Sequence, residues 1–425
     1  MTFFRKPSAV SRFALAIALS TGAALTLAAP AQAAKKQEQP AGPKTEFSKP
    51  FQLAYKPFYD VIKAKGDITT LKANLPALQA AATTADDKFT AGQTMYNVGL
   101  ASKDIALQRE GVALMLASNS VLINDRGSLL YGSAELAYNA KDYAAARTFA
   151  QQAIQVGFTG ETDWLLANAF FNDNQAAAGL DVLDKAIAKK VAAGQTVPED
   201  WVKYGFSKAY NAKLDAQAGK FALMYAQLYP TRASWTNAIS VQRNIGGFDG
   251  QELLDVLRLA ERTGTLQTER DYVDYISAVD ARRLPGETQR VIKAGLAAGK
   301  LQANDVFVSE ANKISAGRVA ADTADLPKLA SDAKAASASV ATLMAAGDTF
   351  LSYQKPADAE QFYTLALAKP GVDTARVLTR LGIAQAEQGK YAEAQATLAK
   401  VTGPRQPIAQ LWALYAAQGG KAPAQ

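Results

Sequence analysis

Neither cysteine nor histidine occurs anywhere in the 425 residues. The first absence removes disulfides, cysteine nucleophiles, thiolate zinc sites and cysteine-ligated iron–sulfur clusters. The second removes the Ser-His-Asp triad, a histidine general base and the HExxH metalloprotease helix. Alternating β-branched runs are scarce too, and Ala, Leu, Gln and Lys, all strong helix formers, stand in their place. What is present still makes a folded protein. With 49% apolar, 9% aromatic and 20% charged residues, the chain is too apolar and too aromatic to be disordered. Its length suits two or three ordinary domains or one elongated repeat array.

A basic stripe is also missing, although the formal charge is +7 and the isoelectric point about 9.2. Arg5, Lys6 and Arg12 carry three of the +7, which leaves +4 for the rest. Residues 34–50 hold four Lys and two Glu, so +2 of that remainder sits there. From Phe51 onward the chain is close to neutral, and counterion release from nucleic acid has no concentrated surface to act on. Nucleic-acid binding is not expected.

Residues 1–33 read as a secretory signal peptide. Three cations precede an uncharged apolar run, Phe13–Ala29, and Ala31-Gln32-Ala33 forms a small-x-small cleavage site. The competing reading is a membrane anchor. The run of about 17 residues is at the lower limit for crossing a bilayer, and Ser20, Thr21 and Gly22 interrupt its centre. Cleavage before Ala34 is expected, with export to a bacterial periplasm or secretion into the medium. Residues 34–50 read as a flexible tether.

Beyond it, breaks at Asn172–Asn174, Gly194–Pro198, Gly246–Gly250, Pro285-Gly286 and Pro370-Gly371 separate helical stretches of about 10–16 residues. A small residue is followed twelve positions later by another at Ala134 and Ala146, Ala167 and Gly179, Gly347 and Ala359, and Gly382 and Ala394. Ala153, Ala186, Ala366 and the larger Val401 come seven further on, and Ala150, Leu183, Tyr363 and Leu398 lie between. Antiparallel helices approach tightly only where side chains are small, and bulkier groups then fill the space beside the crossing.

Those residues resemble the tetratricopeptide repeat, a helix–turn–helix unit of about 34 residues. The best match is Leu378-x-x-Leu381-Gly382 with Gly389-x-Tyr391-x-x-Ala394-x-x-x-Leu398 and Pro404 beyond. The resemblance implies an all-α, right-handed α-solenoid. Its expected organisation is N-terminal capping helices over 51–84, an array over 85–403, and a C-terminal capping helix and tail over 404–425. The best-matching units are 128–158, 161–188, 340–370 and 374–403. The unit starting at Trp201 matches poorly in its second helix. Further first helices are expected near 233–243, 268–281 and 303–315.

Chemical motifs are few. Ser331-Asp332-Ala333-Lys334 has Ser-x-x-Lys spacing, but the chain holds no Ser-Asp-Asn and no Lys-Thr-Gly. The Glu-Ser and Leu-Met-Gln signatures of lytic transglycosylases are absent as well. Gly246–Gly250 reads as a turn inside a unit. Asp181 with Asp184, and Asp271 with Asp274, have helical spacing and read as wet helix faces, not a calcium loop. No catalytic residue, metal or cofactor is expected.

What remains is a binding surface, since the first helices of such an array line its concave side. Placing the repeat pattern on this sequence assigns to the groove Tyr131, Glu135, Tyr138, Asn139, Trp164, Asn168, Phe171, Asn172, Lys203, Phe206 and Tyr210. The same places in the C-terminal units hold Met344, Asp348, Leu351, Arg380, Ile383 and Glu387. Aromatics give contact area at small entropic cost, and asparagine can satisfy both groups of an extended backbone. The alternative for each aromatic is ordinary packing between repeats. The reading is therefore a non-enzymatic periplasmic scaffold or adapter for a protein or extended peptide. An envelope enzyme or regulatory subunit with carboxylate chemistry on peptidoglycan or polysaccharide is the alternative, and a structural envelope protein a third.

Overall fold

The computed structural model describes residues 45–63, 67–120 and 122–423, and no β-strand occurs among them. The expected signal peptide and most of the expected tether lie outside the described residues. Residues 46–50 do not behave as a free tether. The backbone N–H of Glu46 donates to Asp86 at 2.7 Å, that of Ser48 donates to Asp87 at 3.1 Å, and Lys49 already begins a helix.

Twenty α-helices follow one another among the described residues. The N-terminal pair is α1 (Lys49–Lys63) and α2 (Ile68–Ala81). Five hairpins come next: α3 (Ala85–Ala101) with α4 (Ile105–Ala117), α5 (Arg126–Asn139) with α6 (Tyr143–Gln155), α7 (Thr162–Asn172) with α8 (Ala176–Ala192), α9 (Glu199–Asn211) with α10 (Asp215–Leu228), and α11 (Arg232–Ile245) with α12 (Gly250–Arg262). The remainder is α13 (Glu269–Val279), α14 (Pro285–Ala297), α15 (Val306–Lys334), α16 (Val340–Ser352), α17 (Pro356–Leu367), α18 (Thr374–Glu387), α19 (Tyr391–Leu398) and α20 (Gln406–Ala417). Successive helices pack on one another along the chain, which is the arrangement of an α-solenoid.

One local device recurs at the turn inside the hairpins. The first helix ends, a single residue takes a left-handed conformation, and the next residue is the N-cap of the second helix. Lys103, Lys141, Asn174, Lys213, Gln354 and Gly389 are those residues, with φ between 55° and 77°. The N–H after each returns to a carbonyl five residues back, as from Asp142 to Ala137 at 2.9 Å and from Lys390 to Gln385 at 3.0 Å. These bonds satisfy the carbonyls that a helix end leaves open. Aspartate side chains cap several second helices in turn, Asp104 at Leu107 and Asp142 at Ala145.

The small-residue crossings are where the spacing put them. Ala134, Ala146, Ala167, Ala359 and Ala394 are fully buried. A Cβ on Gly347 would collide with the ring of Tyr363, and one on Gly382 with Leu398, sixteen residues on in each case. Gly205 meets Phe221 at the same separation. The Trp201 unit, a poor match in sequence, is thus an ordinary hairpin whose second helix carries Gln217 where the others have a small residue.

Two central expectations need correction. The helix expected near 303–315 does not turn back. It continues as the 29-residue α15, which runs through Gly317 and Pro327 and ends only at Lys334. The C-terminal helix is also more than a cap. α20 meets α10, α11 and α12, and Arg380 and Glu387 of α18 reach Asp255 and Arg262 of α12, so the C-terminal helices close back onto the middle of the chain.

That closure is charged and dry. Asp255 of α12 is fully buried. Its carboxylate receives Arg405 at 2.8 Å, Arg258 at 3.3 Å and Arg380 at 3.4 Å, while its backbone carbonyl accepts the indole N–H of Trp412 at 2.9 Å. Arg258 forks onto Glu287 at 2.9 and 2.7 Å, and Arg262 pairs with Glu387 at 2.5 Å. Val256, Leu259 and Ala260 of α12 join the same apolar cluster as Leu351, Ile383 and Trp412.

Candidate functional site

The face shared by α5, α7 and α9 is built first from helix spacing. Residues three, four and seven apart fall on one side of a helix, which puts Tyr131, Glu135 and Tyr138 together on α5. Direct contact between α5 and α7 makes the first helices of neighbouring hairpins adjacent along this side. Asn172 of α7 donates its side-chain N–H to the Tyr138 hydroxyl at 2.5 Å, a bond that joins the two helices at the surface. Tyr138 also meets Tyr143 edge-on, with ring centroids 5.7 Å apart. Asn139 is exposed at the end of α5.

Tyr131 is half-buried and rests on Phe158 at 5.3 Å. Burial, with the Glu135 charge beside it, pushes its hydroxyl well above the ordinary tyrosine range. Glu135 is half-buried and hydrogen-bonds Tyr131. Burial raises its carboxyl above the usual range, and no lysine or arginine among the described residues pulls it back down. Phe206 and Tyr210 lie on α9 with centroids 6.0 Å apart, and Tyr210 remains 46% exposed.

Other predicted groove residues do different work. Trp164 lies flat on Trp201, 5.5 Å between centroids and 6° between planes, and wedges the α7 hairpin onto the next. Phe171 is only 6% exposed, packs under Gly179 and meets Tyr204 edge-on. Both are packing between repeats, as the alternative for aromatics held. Asn168 turns its amide back to the Trp164 carbonyl at 2.8 Å. Lys203 is already paired with Glu199 at 2.7 Å and lies over the Tyr225 ring of α10.

In the C-terminal half the expected groove is an interior. Met344, Asp348, Leu351, Arg380 and Ile383 are buried, and Glu387 is clasped by Arg262. Helix α12 fills that face. Asp348 receives Arg380 at 2.5 Å and Arg283 at 2.8 Å. A cleft of about 180 Å³ remains there, lined by Arg258, Arg262, Arg290, Glu261, Glu287 and Glu387. Arg258 with Glu287, Arg262 with Glu387 and Arg290 with Glu261 are each already ion-paired.

The sequence pattern also passed over Tyr96 of α3. It stands four residues after Gly92, as Tyr138 stands four after Ala134, so the repeat register was the signal that would have found it. The Glu135 charge raises its hydroxyl pKa, after burial. The carboxylates considered as cation sites are engaged elsewhere. Arg243 bridges Asp271 and Asp274, Lys185 takes Asp181, and Lys220 takes Asp184. Ser331 and Lys334 are exposed at the end of α15. No group of three acidic side chains able to hold a metal occurs among the described residues, and none of their helices is long and apolar enough to cross a membrane.

No protein-family model matches the sequence, and no curated protein does. Among solved structures, a complex titled Naa15/Naa10 bound to HypK-THB is similar over 85% of this chain and 69% of that one, at 13% identity and a TM-score of 0.34. The P58(IPK) TPR domain is similar over 87% of this chain and 97% of that one, at 13% identity and a TM-score of 0.20. At those values neither likeness bears on partner or activity. The chain's own geometry, with small residues at most crossings and the same left-handed turn inside six hairpins, is that of an all-α solenoid of tetratricopeptide-like hairpins.

Proposed function

We infer that the protein is a non-enzymatic scaffold or adapter. It is exported to the cell envelope, where it holds a protein or extended-peptide segment on the face of α5, α7 and α9. One observation carries this reading: the two halves treat the same repeat positions differently. In the C-terminal half those positions are buried under α12 with their charges paired, whereas Tyr131, Glu135, Tyr138, Asn139, Asn172, Phe206 and Tyr210 keep exposed surface. Half-exposed aromatics interleaved with amides supply contact area and backbone hydrogen bonds to a ligand strand.

The test uses the mature chain, residues 34–425, as bait in envelope extract beside the double variant Tyr138→Ala, Asn172→Ala. A partner held by the native chain should be lost by the variant, whose circular dichroism should remain that of the folded chain. Retention of that partner by the variant overturns the reading. Export is checked separately by intact mass. A periplasmic chain starting at Ala34 supports it, and an uncleaved cytoplasmic chain removes it.

A further inference from the structure

We propose that the surface around Glu135 is a subsite for one cationic side chain, lysine or arginine, of the bound segment. The inference rests on the reading of the α5–α9 face as the partner surface, and it names what that partner must carry. Several other carboxylates of the described chain carry the cation that Glu135 lacks. Asp142, Asp173, Asp181 and Asp184 are each met by a lysine or arginine at 2.6–2.7 Å. Glu387, the other carboxylate whose pKa is raised by burial, is clasped by Arg262. Glu135 has a tyrosine hydroxyl as its partner and no cation.

Its surroundings complete a cation site. Tyr131 lies one turn before Glu135 and is braced by Phe158 at 5.3 Å, so its ring is held in place. Tyr96 stands on α3, close enough to feel the Glu135 charge. Tyr96 and Tyr131 pack against the same apolar cluster of Val112, Met115, Leu116 and Leu130. Glu161, at the start of α7, adds a second negative charge acting on Tyr131. A partly desolvated carboxylate beside tyrosine rings favours an ammonium or guanidinium over any neutral group, because ion pairing and the ring quadrupole act together. The chain itself already places cations over rings at Lys208 with Tyr204, 4.9 Å, and Arg147 with Phe170, 5.0 Å. At Glu135 the cation comes from the ligand.

The decisive measurement titrates the mature chain, carrying 13C-labelled tyrosine rings, with Nα-acetyl-arginine amide and Nα-acetyl-lysine amide. Nα-acetyl-citrulline amide serves as the uncharged arginine analogue. Saturable shifts at Tyr96 and Tyr131 are expected with the two cations and not with citrulline. They should weaken about tenfold in Glu135→Gln, and the Tyr96 shift should persist in Tyr131→Phe, which keeps ring and carboxylate. Equal response to citrulline, or an unaltered response in Glu135→Gln with native circular dichroism, overturns the proposal. Twelve-residue peptides selected from a random library on the same chain separate this inference from the reading beneath it. A selected peptide lost by Tyr138→Ala, Asn172→Ala but indifferent to Glu135→Gln leaves the partner surface standing and removes the cation subsite. Cation-induced shifts without any selected peptide would do the reverse.

Discussion

Arg405 reaches back 150 residues to Asp255, placing its guanidinium 2.8 Å from a carboxylate that has no exposed surface. Arg258 and Arg380 converge on the same side chain, and Trp412 donates to its backbone. Such a knot is weak evidence for stability in itself, since a matched apolar replacement often does as well. Removing a single member is another matter, because the remaining charges stay buried and unpaired. Asp255→Ala should cost about 3–5 kcal/mol in urea unfolding. The exposed pair Lys56–Asp60 is the control, and Asp60→Ala should cost under about 0.5 kcal/mol.

The same region sets a response to acid. Burial alone would raise the Glu287 carboxyl, but Arg258 and Arg290, with the Tyr275 hydroxyl donating at 2.9 Å, hold it down to about 2. Asp348 is lowered too, chiefly by Arg380 acting against its burial. A carboxyl depressed in the folded state contributes stability that is fully present above its unfolded pKa, near 4.5 for Glu, and is lost as pH falls towards its folded value. Unfolding midpoints should therefore hold steady from pH 7 to about 5 and drop steeply between about 4.5 and 2. A midpoint unchanged down to pH 3 would contradict the burial of these pairs.

Two glycines make a paired test of the crossings. A Cβ on Gly347 meets the Tyr363 ring, whereas Gly132, inside α5, has nothing within 4 Å. Gly347→Ala should cost about 1–3 kcal/mol through overpacking, and Gly132→Ala should gain about 0.5–1 kcal/mol from helix propensity. Denaturant midpoints compared at constant slope read both.

Lys141 occupies the left-handed position of the α5–α6 turn with φ 63°, where the α18–α19 turn has Gly389 at φ 77°. A side chain there costs about 1 kcal/mol relative to glycine. Lys141→Gly should raise the unfolding free energy by roughly that amount, while Gly389→Lys should lower it. Equal and negligible effects would show that the turns tolerate either residue.

The fold was legible because tetratricopeptide-like packing is local. Gly382 and Leu398, or Gly347 and Tyr363, meet within one hairpin, so their spacing survives in the sequence as a pattern. The closure was not legible. Asp255, Arg258, Arg262, Arg380 and Glu387 have the spacing and polarity of a solvated helix face, and their partners stand up to 150 residues away. No window of local pattern can tell a wet arginine from one sealed beneath a distant helix. The groove was half legible for a related reason. Helical spacing puts Trp164 and Phe171 on the first helix beside Tyr138, and only the rings of the following hairpin, Trp201 and Tyr204, decide that they are packed away.

Repeat proteins ordinarily melt from their ends, since each unit leans only on its neighbours. The bonds between α12 and α20 break that rule for one half of this chain. Helices α10, α11 and α12 cannot open without releasing α20, so amide exchange in them should proceed as a single event. The hairpins from α3 to α8 have no such latch and should fray singly. The molecule is in effect a stiff ring bearing a more pliant arm, and the proposed partner face begins on that arm.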